Sequence, residues 1–156
     1  MDTAPALVGV SHLTLPVGDL ALAERFYVDM LGLEPVRRNP AYLALRCGAL
    51  ELDLFEQPGH RHTDLQPHPH LAFEVDGDAF SRFQARLTAH GVPFDGPRRL
   101  GPPGHASIYF PDPFGNLLEL ATFAHADGIP IGPPDLEQLS ARASTAWAES
   151  RPRTCL

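Results

Sequence analysis

The chain has 156 residues, 44% hydrophobic and only 20% charged, a balance that suits one compact domain with a sizeable core and excludes disorder as the default. Its net charge of -7, with Arg37-Arg38 and Arg98-Arg99 as short basic runs, argues against a nucleic-acid partner, because phosphate binding needs clustered Lys and Arg. Cys47 and Cys155 make no disulfide framework, no stretch is apolar for long enough to cross a membrane, and the N-terminus lacks a basic region followed by a long apolar run; the expectation is a soluble protein of the reducing cytoplasm.

In chain order, Val10-Ser11-His12-Leu13-Thr14-Leu15 reads as a strand. Side chains alternate between the faces of a strand, so Leu13 and Leu15 are expected under a helix while His12 and Thr14 point the other way. Asp19 to Gly32 follows with helical periodicity, its apolar face made by Leu20, Ala23, Phe26, Tyr27, Met30 and Leu31. Tyr42 to Cys47 and Leu50 to Phe55 are the next strand candidates, and Gln57 to Pro69, rich in Pro and His, reads as a linker.

The order then repeats. His70-Leu71-Ala72-Phe73-Glu74-Val75 is a second histidine-bearing strand, with His70 and Ala72 opposed to Leu71, Phe73 and Val75. Asp78 to Gly91 matches the first helix in length, begins after Gly77 as the first begins after Gly18, and carries Phe80, Phe83 and Leu87 on one face. Ser107 to Phe110 and Leu117 to Phe123 complete the second half. Beyond about His125, Gly128, Pro130, Gly132, Pro133 and Pro134 break regular structure, and Asp135 to Glu149 suits a helix with Leu136, Leu139, Ala143 and Trp147 on one side. This tail reads as packing or a partner contact.

His12, His70 and Glu119 stand at matching places in short apolar strands. Imidazole and carboxylate suit a borderline or hard divalent ion, and two histidines with one acid leave coordination positions open for a substrate. His68 would face the same side as His70, which is preferred because it enters the apolar run directly. His60, His62 and His68 otherwise read as loop histidines.

These residues resemble the vicinal oxygen chelate superfamily, which holds glyoxalase I, extradiol dioxygenases, fosfomycin-thiol transferases and bleomycin-binding proteins. The resemblance spans roughly residues 7 to 124 and is carried by Val10 to Leu20, Phe26-Tyr27, Leu31-Gly32-Leu33, His70 to Phe73 and, most specifically, Tyr109-Phe110-Pro111-Asp112-Pro113-Phe114-Gly115-Asn116-Leu117-Leu118-Glu119-Leu120. It implies an α+β fold of two βαβββ modules, residues 7–58 and 68–124, forming a cupped mixed sheet with helices outside, followed by a C-terminal extension over 125–156. It further implies one divalent ion (Fe, Mn, Zn, Ni or Co) on His12, His70 and Glu119. A fourth ligand would come from the last strand of module one, at Asp53 or Glu51, with Asp53 preferred. A small-molecule substrate would chelate the ion through neighbouring oxygens. Tyr109 and Thr14 are the implied catalytic or substrate-contacting groups, Ser107 and Arg99 further substrate contacts. Relatives of this size suggest a homodimer whose modules share each site.

The resemblance leaves several chemistries open. Dioxygenase-type chemistry leads, on the three-ligand set and Tyr109; glyoxalase I-like isomerase or lyase chemistry, a fosfomycin-thiol transferase and a non-catalytic bleomycin-binding module are the alternatives. Two departures bear on the choice. Residues 100–102 are Leu, Gly and Pro where ring cleavage would place a histidine, His105 being closer to Tyr109. Gly101-Pro102-Pro103-Gly104 replaces the potassium-binding loop of the fosfomycin enzymes, and no arginine holds a phosphonate after Glu119.

Overall fold

The computed structural model describes residues 6–149, together with the backbone alone where side chains from Trp147 onward lie outside the described residues. The chain divides between His60 and Arg61 into two compact units. Each holds one four-stranded mixed sheet of the same topology.

In the first unit, β1 (His12–Val17), β2 (Glu34–Asn39), β3 (Tyr42–Cys47) and β4 (Leu50–Glu56) are ordered β1-β4-β3-β2, with β1 and β4 parallel and the remaining pairs antiparallel. The β1-to-β4 pairing is a parallel one across a crossover, so a helix must return the chain; the segment after Asp19 supplies it. The Asp19 carboxylate accepts the Leu22 amide at 2.7 Å and Glu56 accepts the Leu20 amide at 3.0 Å, so two of the orphan donors of the first turn are satisfied. Helix α1 (Leu20–Glu24) then widens into a π turn over Arg25–Met30, seen in the Leu31 amide bonding back to the Phe26 carbonyl at 2.9 Å. Ala23, Phe26, Tyr27 and Met30 are buried with Leu43, Leu45, Leu52 and Leu54. One expectation is corrected here: Leu13 is 38% exposed and is not a buried partner of the helix.

The second unit repeats the plan with β5 (Leu71–Glu74), α2 (Gly77–Ala89), β6 (Asp95–Arg98), β7 (Ala106–Pro111) and β8 (Leu117–Thr122), in sheet order β5-β8-β7-β6. Phe80 and Leu87 of α2 are buried with Phe73, Ile108, Phe110, Leu118 and Leu120. The opposite face of this sheet carries the row Asp95, Tyr109, Glu119 and Ala72, which are register partners from strand to strand. Directly opposed residues share a face, so this row is the polar side.

The turn that delivers β8 is built by Asp112. Its fully buried carboxylate accepts the amides of Phe114 (2.8 Å) and Asn116 (2.9 Å) and the Asn116 side-chain amide (2.7 Å). Gly115 sits at φ +84°, and a Cβ there would come within 2.4 Å of the His62 carbonyl oxygen, so both conformation and space demand glycine.

The C-terminal extension belongs to this unit. Helix α3 (Leu136–Glu149) buries Leu139 completely in a cluster with Leu65, Tyr109 and Leu117. It is tied down by Ser140, which accepts the Leu65 amide (3.1 Å), by Arg142, which donates to the Phe94 carbonyl (2.9 Å), and by the Asp135 amide, which donates to Asp95 (3.4 Å). The expected place of Trp147 on the same side as Leu136, Leu139 and Ala143 falls on a side chain outside the described residues. Among the described residues, no helix is long and apolar enough to cross a membrane.

Candidate metal and substrate site

In the second unit the structure brings His70, Glu119, Ser107 and Tyr109 together. His70 lies one residue before β5, and its Nε2 is 2.9 Å from Glu119 Oε2. The Nδ1–H donates to the Pro67 carbonyl at 2.7 Å. With Nδ1 committed as the donor, a neutral imidazole presents a lone pair at Nε2, and that lone pair faces a carboxylate oxygen. Two acceptors at that distance need a proton or a cation at their junction. A histidine whose far nitrogen is held by a carbonyl is also the usual arrangement behind a metal-ligating imidazole. On donor chemistry, therefore, this pair fits a divalent ion.

Tyr109 stands beside the pair. Its ring meets the His70 ring edge-on at a centroid distance of 5.9 Å and is 4% exposed. Burial first, and the nearby Glu119 charge second, push its phenol above the ordinary value, so the hydroxyl stays a hydrogen-bond donor at neutral pH. The Ser107 hydroxyl, fully buried, donates to Glu119 Oε1.

In the first unit, His12 and Glu51 are register partners across β1 and β4, and Thr14 and Asp53 are the next pair on the same face. His12 is exposed, and its Nδ1 lies 2.9 Å from Ser11 Oγ. Glu51 and Asp53, the two residues considered for a fourth ligand, differ in their surroundings. Glu51 is engaged in an ion pair with Arg37, whereas Asp53 Oδ1 is shielded from solvent and has no hydrogen-bond partner among the described residues. Burial first, and the Glu51 charge second, raise the Asp53 carboxyl above the usual range, with His12 pulling it back. A shielded carboxylate oxygen without a partner fits a ligand oxygen better than one already paired.

Arg99 is bound to the segment 130–132, its amide donating to the Pro130 carbonyl at 2.9 Å and its carbonyl accepting the Gly132 amide at 3.2 Å; its guanidinium lies 4.0 Å from Asp127. Among the described residues, no group of three or more His, Cys, Asp or Glu that could hold a metal ion is present.

Sequence reasoning missed Asp95 and Arg98. Arg98 is the register partner of Ser107, and Asp95 that of Tyr109. The two are joined by a bidentate ion pair that holds the Asp95 carboxyl below its usual range. Their i, i+3 spacing was the available signal, but Gly96-Pro97 between them hides the strand.

With this fold and this side-chain arrangement, the chain belongs to the glyoxalase/bleomycin resistance protein/dioxygenase superfamily, whose pattern it matches over residues 9–120. Among relatives it is similar to the glutathione transferase FosA of Serratia marcescens, 33% identical over 116 residues that cover 73% of this chain and 80% of that one. The metallothiol transferase FosB of Shouchella clausii is 29% identical over the same shares of both chains. Among solved structures, the fosfomycin resistance protein FosX of Mesorhizobium loti superposes with a TM-score of 0.63 at 25% identity, covering 75% of this chain and 93% of that one. A lactoylglutathione lyase from Agrobacterium tumefaciens gives 0.60 at 29%, covering 76% and 96%. The match ends before α3, which lies outside the family pattern.

Proposed function

We propose that the protein is a divalent-metal enzyme of the fosfomycin-modifying kind, a cytoplasmic homodimer in which His70 and Glu119 are joined by the partner subunit's His12. The observation that carries the reading is the His70–Glu119 pair, in which the imidazole, its Nδ1 turned to the Pro67 carbonyl, sets Nε2 2.9 Å from a carboxylate oxygen. A bound ion supplies a Lewis acid for two neighbouring oxygens of a small substrate. The chain's own groups do the rest. The Tyr109 hydroxyl donates to an oxyanion, the partner's Thr14 hydroxyl and Ser107 line the approach, and Arg99 supplies positive charge toward an acidic substituent. In thiol transfer to an epoxide, sulfur bonds to one ring carbon, that carbon–oxygen bond breaks, and the opened oxygen takes the proton released by the thiol.

The similarity to FosA and FosB moves the reading from dioxygenase-type cleavage to group transfer. The histidine nearest Tyr109 in sequence points the same way: both ring nitrogens of His105 are engaged by neighbours within the chain. A second reading, a glyoxalase-type isomerase with Asp53 as fourth ligand, is favoured by the solvent-shielded Asp53 Oδ1, which has no hydrogen-bond partner among the described residues, and by the similarity to a lactoylglutathione lyase.

The test is phosphorus NMR of fosfomycin incubated with the metal-loaded protein and glutathione or cysteine, beside the glutathione hemithioacetal of methylglyoxal as an isomerase substrate. A new phosphonate resonance, absent with Glu119→Ala, is the expected result. Turnover of the hemithioacetal alone would move the assignment to the second reading. Turnover of neither, with a bleomycin-type ligand bound in the absence of metal, would replace the enzyme by a binding module.

A further inference from the structure

We infer that His105 is a positioning residue for Glu119, acting through Ser107, and that the loop Gly101-Pro102-Pro103-Gly104 exists in this chain to hold it. The inference rests on the reading of Glu119 as a metal ligand and goes beyond it by naming what aims that carboxylate.

The hydrogen bonds run in one direction. The Gly101 amide donates to His105 Nδ1 at 3.2 Å, which makes Nδ1 the acceptor. In the neutral imidazole the proton is then on Nε2, which is 3.2 Å from Ser107 Oγ and donates to it. Ser107 Oγ, having accepted from His105, turns its own hydrogen to Glu119 Oε1. One carboxylate oxygen is thereby committed to Ser107, and the other, Oε2, is the one left facing His70. Without the histidine, the serine hydroxyl loses the donor that turns its hydrogen to Glu119, and the carboxylate plane loses part of its restraint.

The loop is shaped around this ring. A Cβ on Gly101 would lie 2.8 Å from His105 Cγ, so the backbone passes where no side chain fits. Gly104 has φ +89°, and a Cβ there would lie 2.8 Å from the Phe123 carbonyl oxygen. The His105 amide donates to the Pro102 carbonyl at 3.1 Å, and its ring rests against Phe123 at a centroid distance of 5.3 Å. The glycines at both ends and the prolines between them thus give a stiff loop whose inward contact is the His105 ring. Groups that orient a metal ligand from behind typically contribute 10–100-fold to metal affinity.

The experiment is a calorimetric titration of Mn2+ alone into the wild-type protein, His105→Phe and His105→Gln, with the thermal melting of each metal-free protein recorded in parallel. Phenylalanine keeps the ring against Phe123 and removes both nitrogens; glutamine places an amide N–H where Nε2 stood. The expected result is a dissociation constant ~10–100-fold weaker for His105→Phe, restored close to wild type by His105→Gln, with the melting temperatures ordered differently from the affinities. Equal affinity in wild type and His105→Phe would overturn this inference while leaving the metal site standing, as would equal weakening by Phe and Gln, which would reduce the ring to packing. No Mn2+ binding by the wild type would overturn the reading of Glu119 as a ligand, and this inference with it.

Discussion

Replacing Asp112 tests how the turn before β8 sets the position of Glu119. The wild-type carboxylate is fully buried and accepts three hydrogen bonds, two of them from backbone amides that have no route to solvent while the turn is closed. Asp112→Ala removes every one of these acceptors. A buried donor left unsatisfied costs about 1–3 kcal/mol, so two backbone donors and one side-chain amide, partly relieved by entering water, place the cost at about 3–5 kcal/mol. That is a large share of a typical domain stability of about 5–15 kcal/mol. Asp112→Asn keeps Oδ1 for both backbone amides and sets an amide against the Asn116 amide, a loss of about 1–2 kcal/mol. Urea unfolding followed by circular dichroism measures both, with hydrogen exchange at the Leu117–Glu119 amides reporting whether β8 loosens first. Values for Ala and Asn that coincide, or an Ala cost below about 1 kcal/mol, would refute the assignment of this turn to the Asp112 carboxylate.

Leu139→Ala removes the fully buried centre of the contact between α3 and the sheet and is expected to cost about 2–5 kcal/mol in the same assay; a change below about 1 kcal/mol would show that α3 is not docked as described. Asp95 is ion-paired to Arg98, and its carboxyl is held below the ordinary value in the folded state, so the pair's contribution is present above the unfolded carboxyl pKa of about 3.9 and is lost as pH falls through the folded value. Asp95→Asn should therefore lower the melting temperature at pH 7, and the gap to wild type should narrow as pH falls below about 4; a gap that stays constant would contradict the pairing. Tyr109→Phe keeps the packing against His70 and Leu139 and removes the donor, so melting should change little while turnover falls by about 100–1,000-fold, in line with one hydrogen bond to developing charge; unchanged turnover would restrict Tyr109 to packing.

Much of this molecule is legible before any coordinates because local signals and global fold agree. Tyr42–Cys47 reads as a strand from its apolar character and is one with the same limits. Asp112-Pro113-Phe114-Gly115 announces a tight turn, and the turn puts Glu119 on the polar face as its spacing implies. Strand β2 was not legible, because Pro35, Arg37, Arg38 and Asn39 make an edge strand whose side chains are mostly exposed and carry no alternation. Strand β6 was hidden by Gly96-Pro97, two residues that ordinarily argue against a strand and are tolerated here at the sheet edge. The role of His105 is invisible in one dimension for a different reason. Its significance lies in a hydrogen bond to Ser107 that is meaningful only because Ser107 in turn reaches across to Glu119 on the neighbouring strand.

The most direct test of the central claim is elemental analysis of the anaerobically purified protein beside His70→Ala and Glu119→Ala. A divalent metal near one ion per chain, lost in both variants while each still folds, is the predicted result. No metal in the wild type even after reconstitution, or full retention in both variants, would contradict it.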